Sequence, residues 1–257
     1  MNPWTQVPVY LEFFFNETLL SRGTGFFWEG TTGTFLVTNR HNFTGRDNET
    51  GKALHTNLGI PNKVAVLCGR ADKTVFTLLF DIWTSDDRPT WWVHRDKDRR
   101  IDVALFPVRM PSDVVINAAN HLPLTDFQLG VTDEAFILGF PLKLQILPVT
   151  IWKRGTLAAE PRVTEEGLLD YYLLDASTQT GMSGSPVIAR CSEVIPISGV
   201  PGRQINFNSG RSNIATRFLG VYSGRLRNEK NEDTLIGRVW RSEFISEIDQ
   251  DGVIDEA

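Results

Sequence analysis

Apolar residues along this chain fall in short runs separated by clusters of Gly, Asn, Asp, Ser and Thr, a rhythm that predicts strands and turns. In the first half the runs are Val7–Phe15, Ser21–Trp28, Thr34–Thr38, Lys63–Cys68, Thr74–Trp83, Thr90–His94 and Ile101–Phe106. The rhythm lapses over residues 107–130, where Pro111 and Pro123 stand, predicting a connector with a short helical turn near Val114–Ala119. It resumes in Glu134–Phe140, Leu147–Ala159, Leu168–Ala176, Pro186–Ala189, Phe218–Ser223 and Leu235–Trp240, with a long Asn- and Ser-rich loop at Pro196–Arg217. Only Arg241–Ile248 changes period: Phe244, Ile245 and Ile248 share one helical face and predict a C-terminal helix. The expected class is all-β, as paired barrels or a sandwich. The halves divide at 1–110 and 131–257, around the connector 111–130.

Composition narrows the partners. The 257 residues suffice for a substantial core without staples, and a net charge of −5 disfavours nucleic acid, whose phosphates need a positive footprint. The run His94–Arg100 mixes both signs and reads as a solvated loop. Two distant cysteines, Cys68 and Cys191, make no framework and no metal-ligand spacing, so both read as free thiols in a reducing compartment. No basic leader precedes Val9–Phe15 and no apolar run has membrane length. The expectation is a cytoplasmic protein with no membrane partner, no metal and no cofactor.

One octet, Gln179–Pro186, carries the candidate chemistry. Ser183 lies there between Gly181 and Gly184, and Pro186 opens an apolar strand. Such a turn can project one hydroxyl and aim backbone N–H groups at one point, which acyl transfer requires of a nucleophile and its oxyanion donors. It is also the composition of an ordinary turn. Of four histidines, His55, His94 and His121 read as solvated, whereas His41 directly follows an apolar strand. Asp102 sits inside the apolar Ile101–Phe106, an expensive place for a carboxylate unless a donor meets it. His41 as a hydrogen-bonded structural histidine and Asp102 as a strand cap facing water remain alternatives at this point.

The segments Phe35–His41, Ile101–Leu105 and Gly181–Pro186 occur in the order His, Asp, Ser, and together they resemble the chymotrypsin/trypsin-like serine peptidases. The resemblance implies two six-stranded antiparallel β-barrels, the first carrying His41 and Asp102 and the second Ser183, followed by the terminal helix. It implies a triad of His41, Asp102 and Ser183, an oxyanion hole from the N–H groups of Gly181 and Ser183, and a polypeptide substrate. Ser185 stands where the family has its second glycine. Met182 replaces the acidic residue that pairs with a newly cut N-terminus, and Thr38-Asn39-Arg40-His41 with Gly139-Phe140-Pro141 looks more like the bacterial HtrA-like branch, here without a PDZ-like domain. Counting back six from Ser183 puts Ser177 at the base of the specificity pocket, with Thr178 beside it and Tyr222, Ser223 and Gly224 along its wall. Such a floor lacks a carboxylate, which implies a small or medium apolar residue before the cut bond. The competing readings are a latent or inactive protease-fold module opened by a regulatory partner, and an esterase.

Overall fold

The computed structural model describes residues 1–55, 59–141, 149–191, 214–227 and 232–256. The first half forms β1 (Pro8–Phe15), β2 (Thr18–Glu29), β3 (Thr34–Thr38), β4 (Lys63–Gly69), β5 (Val75–Asp81), β6 (Trp92–Val93) and β7 (Ala104–Pro107). The second forms β8 (Glu134–Gly139), β9 (Ile151–Leu157), β10 (Tyr171–Asp175), β11 (Pro186–Cys191), β12 (Ala215–Arg227) and β13 (Asp233–Arg241). These six close into an antiparallel barrel in the order β10-β13-β12-β11-β8-β9. Leu129, Ala135, Ile137, Leu174, Met182, Val187 and Val239 are among the residues that fill it.

The first half does not close, which corrects the expectation of two barrels. Its strands join β14 (Val253–Ile254) in an open eight-stranded sheet ordered β14-β6-β7-β3-β2-β1-β4-β5. Closure would need β5 to zip onto β6. Between them lies only an isolated Trp83–Pro89 bridge, with the Thr90 N–H donating to the Ile82 carbonyl at 3.1 Å. Pro89 has no N–H to give a ladder, and β6 is two residues long. The remaining edge of β6 is taken by β14, through Val253–Val93 and Ile254–Trp92.

Among the described residues three α-helices interrupt the strands: α1 (Arg40–Thr44), α2 (Pro161–Glu165) and α3 (Glu243–Asp251). The terminal helix therefore starts two residues later than its apolar spacing predicts and runs on to Asp251. The helical turn expected at Val114–Ala119 is instead an isolated Val114–Arg70 bridge followed by a 3-10 turn at Ala119–His121. Of the strand expected at Leu147–Ala159, Ile151–Leu157 forms, while residues 147 and 148 lie outside the described set. Most of the loop expected at Pro196–Arg217 also lies outside it, and Ala215 already opens β12.

A second apolar cluster joins the halves. Phe26, Val37 and Leu105 from the sheet meet Leu138, Ile188, Val221 and Trp240 from the barrel, with Phe244, Ile245 and Ile248 of α3 against both. The charged run is largely exposed, as expected, and is also ion-paired. His94 Nε2 meets Glu247 at 2.9 Å, Arg95 meets Asp251 at 2.6 Å, Lys97 meets Glu256 at 2.5 Å, and Arg99 Nε donates to Asp170 at 3.0 Å. Cys68 is buried and Cys191 partly so, and burial pushes the Cys68 thiol up to about 11. Among the described residues, no helix is long and apolar enough to cross a membrane, and no group of three or more His, Cys, Asp or Glu is placed to hold a metal ion.

Candidate active site

Strand register brings His41 and Asp102 together. In the antiparallel β3–β7 pair Thr38 faces Ala104, so the chain beyond Thr38 and the chain before Ala104 run side by side. Asn39 keeps an extended backbone and donates its Nδ2 to the Asp102 carbonyl at 2.7 Å. The next residues turn into α1, which places the imidazole on its first turn.

Asp102 is 1 % exposed, yet its carboxylate is well supplied with donors. One oxygen accepts the His41 backbone N–H at 2.9 Å; the other accepts His41 Nδ1 and Ser223 Oγ, each at 2.6 Å. These charge-assisted bonds offset the cost of burial. An ionised carboxylate only accepts, so the proton sits on Nδ1 and leaves Nε2 as a bare acceptor. Burial alone would depress the His41 pKa. The Asp102 charge and hydrogen bond, helped by Asp47, outweigh it and hold the imidazole above its ordinary value.

Two consecutive tight turns, 179–182 and 182–185, present Ser183 as the second residue of the latter. The first closes from Met182 N–H to Gln179 O at 3.3 Å, the second from Ser185 N–H to Met182 O at 3.0 Å. Each has glycine in third place, Gly181 at φ +94° and Gly184 at φ +86°, the positive φ a type II turn requires there. A Cβ on Gly184 would also overlap the Thr24 carbonyl and the Thr38 hydroxyl. Within the turns, Met182, Gly184 and Ser185 spend their N–H groups on Gln179, Tyr222 and Met182. The N–H groups of Gly181 and Ser183 donate to no described residue.

What holds these turns is Thr24, a residue that sequence reasoning passed over. Its N–H donates to Ser183 O at 2.9 Å, its Oγ1 to Gly181 O at 2.8 Å, and its carbonyl accepts the Thr38 hydroxyl at 2.8 Å. The signal was the pair Gly23 and Gly25 on either side: a Cβ at Gly23 would press on the Asn42 amide at 3.0 Å. Met182 completes the anchorage from below, its side chain fully buried in the barrel core. Ser185 is also fully buried, with an Oγ that finds no partner, against the backbone of Gly139.

A cleft of about 430 Å³ is lined by His41, Asp102, Gly181 and Ser183 together with Thr178, Tyr222, Ser223 and Gly224. No hydrogen bond among the described residues links Ser183 Oγ to His41 Nε2. Ser177 is exposed and does not line the cleft; its neighbour Thr178 does, because successive side chains after β10 alternate sides. Thr178 Oγ1 is hydrogen-bonded to the Tyr222 hydroxyl, and burial raises that phenol to about 12. Ser223, expected on the wall, spends its hydroxyl on Asp102. Along the rim, Arg238 pairs with Glu49 and Arg225 with Asp233 at 2.8 Å. Of the other histidines, His55 lines the cleft, His94 is the partner of Glu247, and His121 is exposed.

A search of curated proteins finds no match. Among solved structures, the crystal structure of the Rv3671c protease from M. tuberculosis, active form, is 16 % identical, covers 98 % of this chain and 83 % of that one, and superposes with a TM-score of 0.47, too distant to carry an argument. Against known families, residues 23–197 match the trypsin-like peptidase domain, a match that says nothing of an HtrA-like branch or of a PDZ domain. It spans more than half the sequence and takes in His41, Asp102 and Ser183, and on that ground the chain belongs to the trypsin-like peptidase domain family.

Proposed function

We propose that the protein is a serine endopeptidase in which Ser183 attacks the peptide carbonyl, His41 Nε2 takes its proton, and Asp102 fixes the imidazole tautomer. The acyl-enzyme on Ser183 is then resolved by water, with His41 returning a proton to each leaving group in turn. The N–H groups of Gly181 and Ser183 are the oxyanion donors, a role supported by their having no acceptor among the described residues. The observation that carries the reading is the Asp102–His41 pair, with a bare Nε2 in the same cleft as a serine on two rigid turns. The first half of the chain, 1–110, would supply the base and its acid, and the second, 131–257, the nucleophile. The triad side chains and two backbone N–H groups perform these steps, and a cytoplasmic setting accords with the buried Cys68 thiol. A fluorophosphonate probe is expected to label the folded protein once, on Ser183, and to label Ser183→Ala at background level; equal labelling of both would remove the proposal.

The cleft wall also supports a neutral residue before the cut bond. Thr178 and Tyr222 share one hydroxyl–hydroxyl hydrogen bond, Tyr222 fills the space over Gly237, and the Arg225 charge beside them is paired. A wall whose hydroxyls and charge are already engaged in this way offers no partner to a charged group. Cleavage of a peptide library is expected after small or medium apolar residues. A profile dominated by Arg, Lys or Glu would overturn this assignment and leave the triad reading untouched.

A further inference from the structure

His41 is held by more than its carboxylate. Arg40, the residue before it, sends Nε and Nη2 to the two oxygens of Asp255 at 2.7 and 3.0 Å. Asp255 is 5 % exposed and follows β14, the strand that caps the open sheet. The same carboxylate accepts Trp91 Nε1 at 2.9 Å, and the Asp255 N–H donates back to the Trp91 carbonyl at 3.2 Å. Trp91 in turn stacks on Phe43 of α1, ring centroids 5.2 Å apart and nearly parallel. The helix that carries the imidazole is thus gripped at Arg40 and at Phe43, and both grips lead to Asp255.

The third arm of Arg40 reaches the other half of the pair. Its Nη1 donates to Asn48 Oδ1 at 3.3 Å, and Asn48 Nδ2 donates to the Arg100 carbonyl at 2.6 Å, two residues before Asp102. A bidentate guanidinium–carboxylate pair fixes orientation as well as distance, and a half-buried one is less screened than a surface pair. Neither Arg40 nor Asp255 lines the cleft.

We infer that Asp255 is a positioning residue for the proposed reaction: through Arg40 and Trp91, the C-terminal strand sets where His41 stands relative to Asp102 and Ser183. The inference rests on the serine-peptidase reading. Proton transfer is sensitive to placement, and a displacement of about 1 Å can cost about 10²-fold.

The test compares Asp255→Asn and Arg40→Lys with the wild-type chain. Asp255→Asn keeps the size of the side chain and Arg40→Lys keeps its charge, each removes the two-pronged contact, and Arg40, at 30 % exposure, tolerates the smaller side chain without a buried void. Three quantities are measured: kcat and KM on a peptide substrate, the melting temperature, and the low-field proton resonance of His41 Nδ1–H. The expected result is a fall of about 10-fold to 10²-fold in kcat with KM nearly constant, together with a shifted or broadened His41 resonance in both variants. If melting temperature falls while kcat and the resonance stay at wild-type values, Asp255 is a structural residue only and the inference is wrong. Should the wild-type chain hydrolyse nothing, the triad reading fails, and the resonance still decides whether Asp255 positions His41.

Discussion

Ser183→Ala is expected to lower kcat by about 10⁶-fold while leaving KM and the melting temperature close to wild type. The size follows from the chemistry: without the hydroxyl no acyl-enzyme forms, and what remains is the modest acceleration that binding and oxyanion donors give to direct attack by water. In free energy that is roughly 8 kcal/mol of transition-state stabilisation. Stability should not follow, because Ser183 serves the fold through its carbonyl, which accepts from Thr24, and its hydroxyl makes no hydrogen bond among the described residues. Ser185 supplies the control in the same octet. Its hydroxyl is buried without a partner, so Ser185→Ala removes an unsatisfied group and should keep activity with equal or slightly higher stability. Steady-state kinetics and calorimetry of the two variants side by side decide the matter. Loss of turnover in Ser185→Ala and retention in Ser183→Ala would transfer the nucleophile's role.

The contrast between these two serines shows what the sequence could and could not carry. The octet, the histidine after an apolar strand and the aspartate inside one were legible because each breaks a local pattern: a carboxylate in Ile101–Phe106 asks for a donor wherever the chain goes. Strand rhythm was legible for the same reason, being a property of neighbours in sequence. Closure of a sheet is not such a property. The alternation of β5 and β6 reads alike whether or not they pair, and the outcome turned on Pro89 and on a two-residue strand arriving from position 253. The charged run 94–100 likewise has one composition whether solvated or paired, and only α3, well over a hundred residues later, supplies Glu247 and Asp251. Ser177 failed for a simpler reason. Counting along the chain gives a distance from Ser183 but not a side, and the alternation after β10 turns Thr178 inward instead.

Asp102→Asn should cost about 10⁴-fold in kcat at neutral pH and, unlike the serine variant, should also move the pH profile. An amide in this place has one oxygen for the His41 backbone N–H and turns its NH2 toward Nδ1. The imidazole then carries its proton on Nε2, the nitrogen that must accept from Ser183. Charge matters separately. Burial pulls the His41 pKa down, and in the wild-type protein Asp102, with Asp47, more than reverses this. The acidic limb of kcat/KM should therefore lie above the ordinary imidazole value of about 6.5, since only neutral His41 can act as base. Removing the Asp102 charge leaves burial and Arg238 opposed by Asp47 alone, so in Asp102→Asn the limb should shift to lower pH. The effect on folding has the opposite sense. A group whose pKa is raised in the folded state stabilises fully below its unfolded value, and that contribution disappears as pH rises through the folded value. The wild-type protein should therefore give up the charged-pair stabilisation over the same pH interval in which it gains activity, and the variant should show neither change there. Rates and melting temperatures measured across that interval on both proteins test this coupling. A limb that stays in place when Asp102 loses its charge would assign the titration to a group other than His41.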